Sequence, residues 1–216
     1  MTADPFARIR AETDRHRAAH GCGAYPFENG LLLSIIAAAA GPARLLELGT
    51  ALGYTALSLL RHLPAAKLDT VERDREHVRL ARETIAAEGF AGRIAVHEGA
   101  FGEVLPGLDP GYGLAFFDGY APSLADMDAF ERLVAPGGVL LSANVNLAGA
   151  ETGAYAARLA DPGRWASLEL PGVAGTWLSV RQPGCPAPRN EPAPACPPLG
   201  AVGRHHHSAR RPAGAG

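Results

Sequence analysis

Two carboxylates of this chain sit where short apolar runs end, each beside a turn able to admit a ligand. Glu47 lies within Leu45-Leu46-Glu47-Leu48-Gly49-Thr50-Ala51-Leu52-Gly53-Tyr54-Thr55, and Glu72 closes Lys67-Leu68-Asp69-Thr70-Val71-Glu72. A glycine-lined turn between a buried strand and a helix is where open α/β sheets bind ligands. Glycine lets a ligand approach backbone that a Cβ would block. The spacing Gly49-x-x-x-Gly53 departs from the Gly-x-Gly-x-x-Gly of dinucleotide enzymes, which hold a pyrophosphate on a helix N-terminus. Glu47, two residues before Gly49, would repel a pyrophosphate but pair with a cation. That chemistry favours S-adenosylmethionine, with its ammonium and sulfonium. Glu72 is placed to bind two ribose hydroxyls, a task shared by both cofactor classes.

These residues need a scaffold, and the hydrophobic pattern supplies one. Strands are predicted at residues 44–48, 67–72, 93–97, 113–117 and 139–142, the last after the turn Pro136-Gly137-Gly138. Helices are predicted at 31–39, 54–62 and 151–159, with another after Asp74, a suitable cap followed by Glu76 in the first turn. Val78, Ala81 and Ile85 share one face of that helix, which Gly89 ends. Residues 165–170 and 176–181 read as a closing antiparallel pair. Strands alternating with helices imply an α/β fold, a Rossmann-like, seven-stranded, mostly parallel sheet with helices on both faces. The organisation expected is a helical arm at 1–23, a folded body at 24–182 and a Pro/Ala/Gly-rich tail at 183–216 that cannot bury enough surface to fold.

Hydrophobic residues make up 47% of the chain and the net charge is −2, a soluble globular composition. The tail carries four Arg and one Glu, which leaves the body at about −5, with no basic stripe for nucleic acid. Cys22, Cys185 and Cys196 are an odd count with no disulfide framework and no close Cys/His zinc spacing, as expected in a reducing cytosol. The first twenty residues lack the apolar core of a secretory signal, and the apolar run 31–40 is too short to span a bilayer. A cytoplasmic protein with no membrane partner is expected.

Residues 28–181 resemble the class I S-adenosylmethionine-dependent O-methyltransferases, the family that includes catechol and caffeoyl-coenzyme A O-methyltransferases and bacterial relatives. The matching segments are LLELGTALGYTALSL, the Val71-Glu72 strand end, HEGAFGEVLP, LAFFDGY and LVAPGGVLLSANV, in order. The resemblance makes 24–182 a methyltransferase domain. It implies Glu47, Gly49 and Thr50 at the methionine portion of the cofactor, Thr55 on its carboxylate, and Gly53 and Tyr54 completing the loop. It further implies Glu72 on the ribose, Ala100 and Phe101 flanking the adenine, and Asp118 beside the methionine amine. A homodimer through the N-terminal helices is implied as well.

The acceptor half departs from the family. Many members hold a divalent cation on an aspartate at the Asp118 position and an Asp-Asn pair after the fifth strand. Here the pair reads Ala143-Asn144, leaving at most Asp118 and Asn144, with Asn146 nearby, for a Mg2+ that requires oxygen ligands. The catechol enzymes' lysine, three residues after that aspartate, is Ala121 here, followed by Pro122. In-line positioning can still carry methyl transfer, with Asp118, Tyr120 and His20 as candidate bases and His16 and His97 beside them. Tyr25, Phe27 and Cys22 are candidates to line an acceptor pocket or to pack, Trp177 reads as edge-strand core, and His205-His206-His207 as tail composition. The function expected is methyl transfer from S-adenosylmethionine to an oxygen of a small molecule, without need of a metal. The alternatives are a non-catalytic cofactor-binding relative that has lost its acceptor site and an NAD-dependent oxidoreductase.

Overall fold

The computed structural model describes residues 3–184. From residue 185 the expected tail, with Cys185, Cys196 and His205-His206-His207, lies outside the described residues. In chain order the elements are α1 (Ala7–His20), α2 (Gly30–Ala40), β1 (Arg44–Leu48), α3 (Tyr54–Leu60), β2 (Lys67–Glu72), α4 (Arg75–Ala87) and β3 (Ile94–Glu98). There follow α5 (Phe101–Val104), β4 (Tyr112–Phe117), α6 (Leu124–Leu133), β5 (Val134–Ser142), α7 (Ala150–Leu159), β6 (Trp165–Glu169) and β7 (Trp177–Arg181). The strands form one seven-stranded sheet in the order β3-β2-β1-β4-β5-β7-β6. Strands β1 to β5 are mutually parallel, and β7 runs antiparallel to both β5 and β6.

Strand alternation sorts the core onto two faces of the sheet. Leu45, Leu68, Leu114, Phe116 and Leu141 pack with Leu33 and Ala37 of α2, Leu57 of α3 and Ile85 of α4. Their neighbours Leu46, Leu48, Val71, Phe117 and Leu140 face the other way, onto Met127 and Phe130 of α6 and Tyr155 and Leu159 of α7. This is the expected α/β, Rossmann-like architecture. Helix α1 belongs to the first face, where Phe6 and Ile9 are buried in the same cluster. The Tyr54 hydroxyl ties that arm down, donating to Asp4 Oδ2 at 2.6 Å and accepting from Gly30 N at 2.9 Å.

Apart from shifts of a single residue, two boundaries and two helices differ from expectation. Helix α3 stops at Leu60. Strand β5 starts at Val134 because its pairing with β4 runs through Pro136-Gly137-Gly138 by a register shift between Tyr112 and Leu114. Helices α5 and α6 were not foreseen. Helix α6 nonetheless carries its own signal, a capping box in which Ser123 Oγ accepts from Asp126 N while Asp126 Oδ2 accepts from Ser123 N.

Candidate functional site

The strand order reverses between β1 and β4, and in open α/β sheets such a switch point opens a crevice at the carboxyl ends of the strands. Backbone pairing continues one residue beyond each strand and aligns the residues there. Gly49 N donates to Val71 O at 3.0 Å, Asp118 N to Leu48 O at 2.8 Å, Gly99 N to Glu72 O at 3.0 Å and Ala143 N to Phe117 O at 2.9 Å. The loops bearing Gly49, Glu72, Gly99, Asp118 and Ala143 therefore share one end of the sheet.

Glu47 is fully buried on the α3 side of the sheet, beside its register partner Thr70. Thr70 donates to Glu47 Oε2 at 2.6 Å. With that proton used, Thr50 is the donor in the 2.5 Å contact between the Thr50 and Thr70 hydroxyls. Among the described residues none is placed to donate a well-formed hydrogen bond to Glu47 Oε1, although the Thr55 hydroxyl lies beside the carboxyl. Burial pushes this carboxyl up to about 8, and nearby Asp118 and Glu72 add to the rise against the pull of the Thr55 and Thr70 hydroxyls. Asp118 is only partly exposed, and burial pushes it up to about 7. A buried acid with a raised pKa lacks a compensating charge.

Glu72 has a second task. Its Oε2 accepts from Ala51 N at 3.0 Å and its Oε1 from Asp74 N at 2.9 Å. Each oxygen keeps a further acceptor site for a ligand hydroxyl. The bond to Ala51 holds a non-glycine residue at φ 44° in the cofactor loop. Gly49 and Gly53 take φ 98° and 93°. The reason for glycine at 49 is more specific than ligand access, since a Cβ there would stand 2.6 Å from Asp118 O. It lets the loops after β1 and β4 close on each other.

The other expected site residues divide between crevice and core. Thr50 is buried against Thr70, Thr55 lies beside Glu47, and the Tyr54 ring is buried with its hydroxyl on Asp4 and Gly30, so these side chains shape the loop from below. Ala100 is exposed, and Phe101 is half-buried with its ring edge-on to Phe117 at 6.2 Å. Among the candidate bases, Tyr120 is 86% exposed and His20 stacks on His16 with ring centroids 4.4 Å apart. His97 bonds Asp69 at 2.8 Å, on the sheet face opposite Glu47. Phe27 packs in the core against Phe116, whereas Tyr25 is exposed beneath Arg17. Trp177 is half-buried at the edge of the second core cluster.

The donor set does not fit a resident Mg2+. Ala143 is buried and offers no oxygen, Asn144 commits its Nδ2 to Gly119 O at 2.7 Å, and Asn146 lies against Gly175. One carboxylate and one amide oxygen fall short of the oxygen cage a hard cation takes. One cluster was missed altogether: His16, Cys22 and His77 converge beside Glu72 although no sequence spacing connects them.

Comparison with known proteins fits this geometry. A family model described as a methyltransferase domain matches residues 46–145. Catechol O-methyltransferase B of Danio rerio is 33% identical over 92 residues, covering 42% of this chain and 35% of that protein. Catechol O-methyltransferase of Niastella koreensis is 30% identical over 122 residues, covering 54% of this chain and 55% of that protein. The chain thus spans little more than half the length of these curated relatives at most. The crystal structure of the O-methyltransferase TomG from Streptomyces achromogenes, involved in tomaymycin synthesis and in complex with SAM, is similar with a TM-score of 0.68. It covers 84% of this chain and 91% of its own at 24% identity, a likeness of fold. Sequence and architecture together give the chain the fold of class I methyltransferases and make it similar to the O-methyltransferases over its strand-and-loop body.

Proposed function

We propose that this chain transfers a methyl group from S-adenosylmethionine to an oxygen of a small molecule, without a resident divalent cation. One observation carries the reading: Glu47, Glu72 and Asp118 meet at adjoining strand ends, two of them raised to about 8 and about 7. A fixed positive charge placed here would favour the ionised form of these acids, whereas a pyrophosphate would oppose it, which disfavours a nicotinamide cofactor. The cofactor, when bound, supplies an already activated methyl group on sulfur. The chain's residues do the rest. Glu47 and Asp118 balance the cationic end, Glu72 holds the ribose hydroxyls, and Gly49 keeps the two loops in register. Of the candidate bases, Asp118 is the one standing at these strand ends.

Isothermal titration of S-adenosylhomocysteine tests the donor site. Binding by the intact protein is expected, with Glu72→Ala weakening it by at least about tenfold through the lost ribose contacts. Tight NADH binding without binding of the sulfur nucleoside would overturn the reading. Ala121 and Ala143 specifically favour a second reading, a cofactor-binding relative without an acceptor site. Transfer of radiolabelled methyl to a metabolite extract separates the two. A homodimer in the cytoplasm is part of the same proposal, its oligomeric state testable by sedimentation. Among the described residues no helix is long and apolar enough to cross a membrane.

A further inference from the structure

His16 near the end of α1, Cys22 in the loop behind it and His77 in the first turn of α4 each bring a ligating atom within 4.8 Å of the other two. His77 is only 6% exposed, and His16 and Cys22 are half-buried. None of the three side chains makes a hydrogen bond with another described residue. The Glu72 carboxylate lies close by, its Oε1 3.9 Å from His77 Nδ1. The His16 ring is 5.2 Å from that of His77. Two imidazoles and a thiol thus point their ligating atoms at one small volume, and sulfur with imidazole nitrogen is a donor set that a soft or borderline metal takes.

We propose that His16, Cys22 and His77 form a Zn2+ site that fastens the N-terminal arm to the cofactor-binding body. Sulfur and imidazole nitrogen are the donors that Zn2+ takes and that Mg2+ and Ca2+ refuse. Tetrahedral zinc with bonds of about 2.0–2.3 Å sets its ligand atoms roughly 3.3–3.6 Å apart, so rotation of the half-buried His16 and Cys22 side chains closes the set. Water fills the fourth position. On binding, the Cys22 thiol releases its proton to solvent as the S–Zn bond forms, with no change of oxidation state. Glu72 Oε1, 3.9 Å from His77 Nδ1, adds negative charge beside the site without bonding the ring.

The site does not depend on the methyl donor, which is left out of the test. Full-length protein carrying Cys185→Ser, Cys196→Ser, His205→Ala, His206→Ala and His207→Ala removes competing ligands outside the cluster. This parent is stripped of metal and titrated with Co2+, then with Zn2+. One equivalent of Co2+ is expected to produce tetrahedral visible bands and a thiolate-to-cobalt charge-transfer band, both abolished by Zn2+. Adding Cys22→Ser should remove the charge-transfer band. It should also weaken Zn2+ by about 100-fold or more, since even outer partners of metal ligands matter by 10–100-fold. His16→Asn, at a half-exposed position, should weaken Zn2+ similarly, with circular dichroism confirming that both variants stay folded. A parent without the charge-transfer band, or a band that survives Cys22→Ser, would overturn the proposal.

Discussion

Replacing Glu47 by Gln should stabilise the ligand-free protein more as pH rises, while weakening its hold on the methyl donor. Burial keeps this carboxyl protonated up to about 8, against 4.5 for an ordinary glutamate. Between those values the folded chain holds a proton that the unfolded chain has released. The stability tied to the group is therefore full below the unfolded value and lost as pH climbs through the folded one. Unequal binding of one proton changes stability by about 1.4 kcal/mol per pH unit, so pH 5.5 to 8 amounts to roughly 3 kcal/mol in favour of the variant. Gln keeps an acceptor for the Thr70 hydroxyl and has nothing to ionise. His16, whose pKa is lowered, gains stability with rising pH but does so in both proteins, so it drops out of the difference. Urea melts of both proteins at pH 5.5, 7 and 8.5 without ligand measure the effect. Titration with the donor at pH 8 should show the variant binding at least about tenfold more weakly, for want of the charge that balances the cation. A stability difference that stays constant with pH, or shrinks as pH rises, would refute the argument that Glu47 is a buried acid awaiting a cation.

Gly49→Ala places a Cβ 2.6 Å from Asp118 O at φ 98°, which should cost more than about 2 kcal/mol in a urea melt and abolish cofactor binding. A variant of normal stability would show that the two loops need not approach so closely. Tyr54→Phe leaves the buried Gly30 N–H without its acceptor and Asp4 without its donor. It should cost about 2 kcal/mol and speed proteolysis near residue 4, seen by mass spectrometry of the fragments. Added Mg2+ should change radiolabelled methyl transfer by less than about twofold, because Ala143 and Asn144 do not complete an oxygen cage. A tenfold stimulation would show that the site recruits ligands from elsewhere.

The strands that position the site were legible because their apolar runs are short and end in glycine or acid. Residues 44–48 and 67–72 come out at the predicted bounds. The amphipathic face of α4, with Asp74 capping it through Glu76 N and His77 N, was equally plain. Helix α6 was overlooked although Ser123 and Asp126 form its capping box and Met127, Phe130 and Leu133 recur every three residues. Its brevity, and a β5 strand that begins where it ends, hid that periodicity. The start of β5 was obscured by Pro136-Gly137-Gly138, which reads as a turn yet lies in an irregular ladder. Tertiary convergence was beyond reach for a different reason. Nothing in spacing reveals that His77 meets His16 and Cys22, because their proximity comes from packing α1 against the start of α4.

The described backbone has two non-glycine residues at positive φ, Ala51 at 44° and Asn144 at 62°, and both sit in loops at this end of the sheet. Such conformations cost on the order of 1–3 kcal/mol each and persist where surrounding structure over-determines them. Each is held by a specific bond, Ala51 N to the Glu72 carboxylate and Asn144 Nδ2 to Gly119 O. The two are not equivalent. Strain at Ala51 is maintained by the Glu72 carboxylate, so the loop after β1 and the end of β2 form one unit, and loosening either loosens both. Strain at Asn144 is maintained by the backbone beside Asp118, which fixes the amide on Gly119 O. The donor half of the crevice is thus built as a charged, tensioned cradle. The acceptor half keeps the shape of its loops while Ala143 and Ala121 remove a ligand oxygen and a basic nitrogen from it, which is why the methyl transfer proposed above is assigned to positioning rather than to a metal-activated hydroxyl.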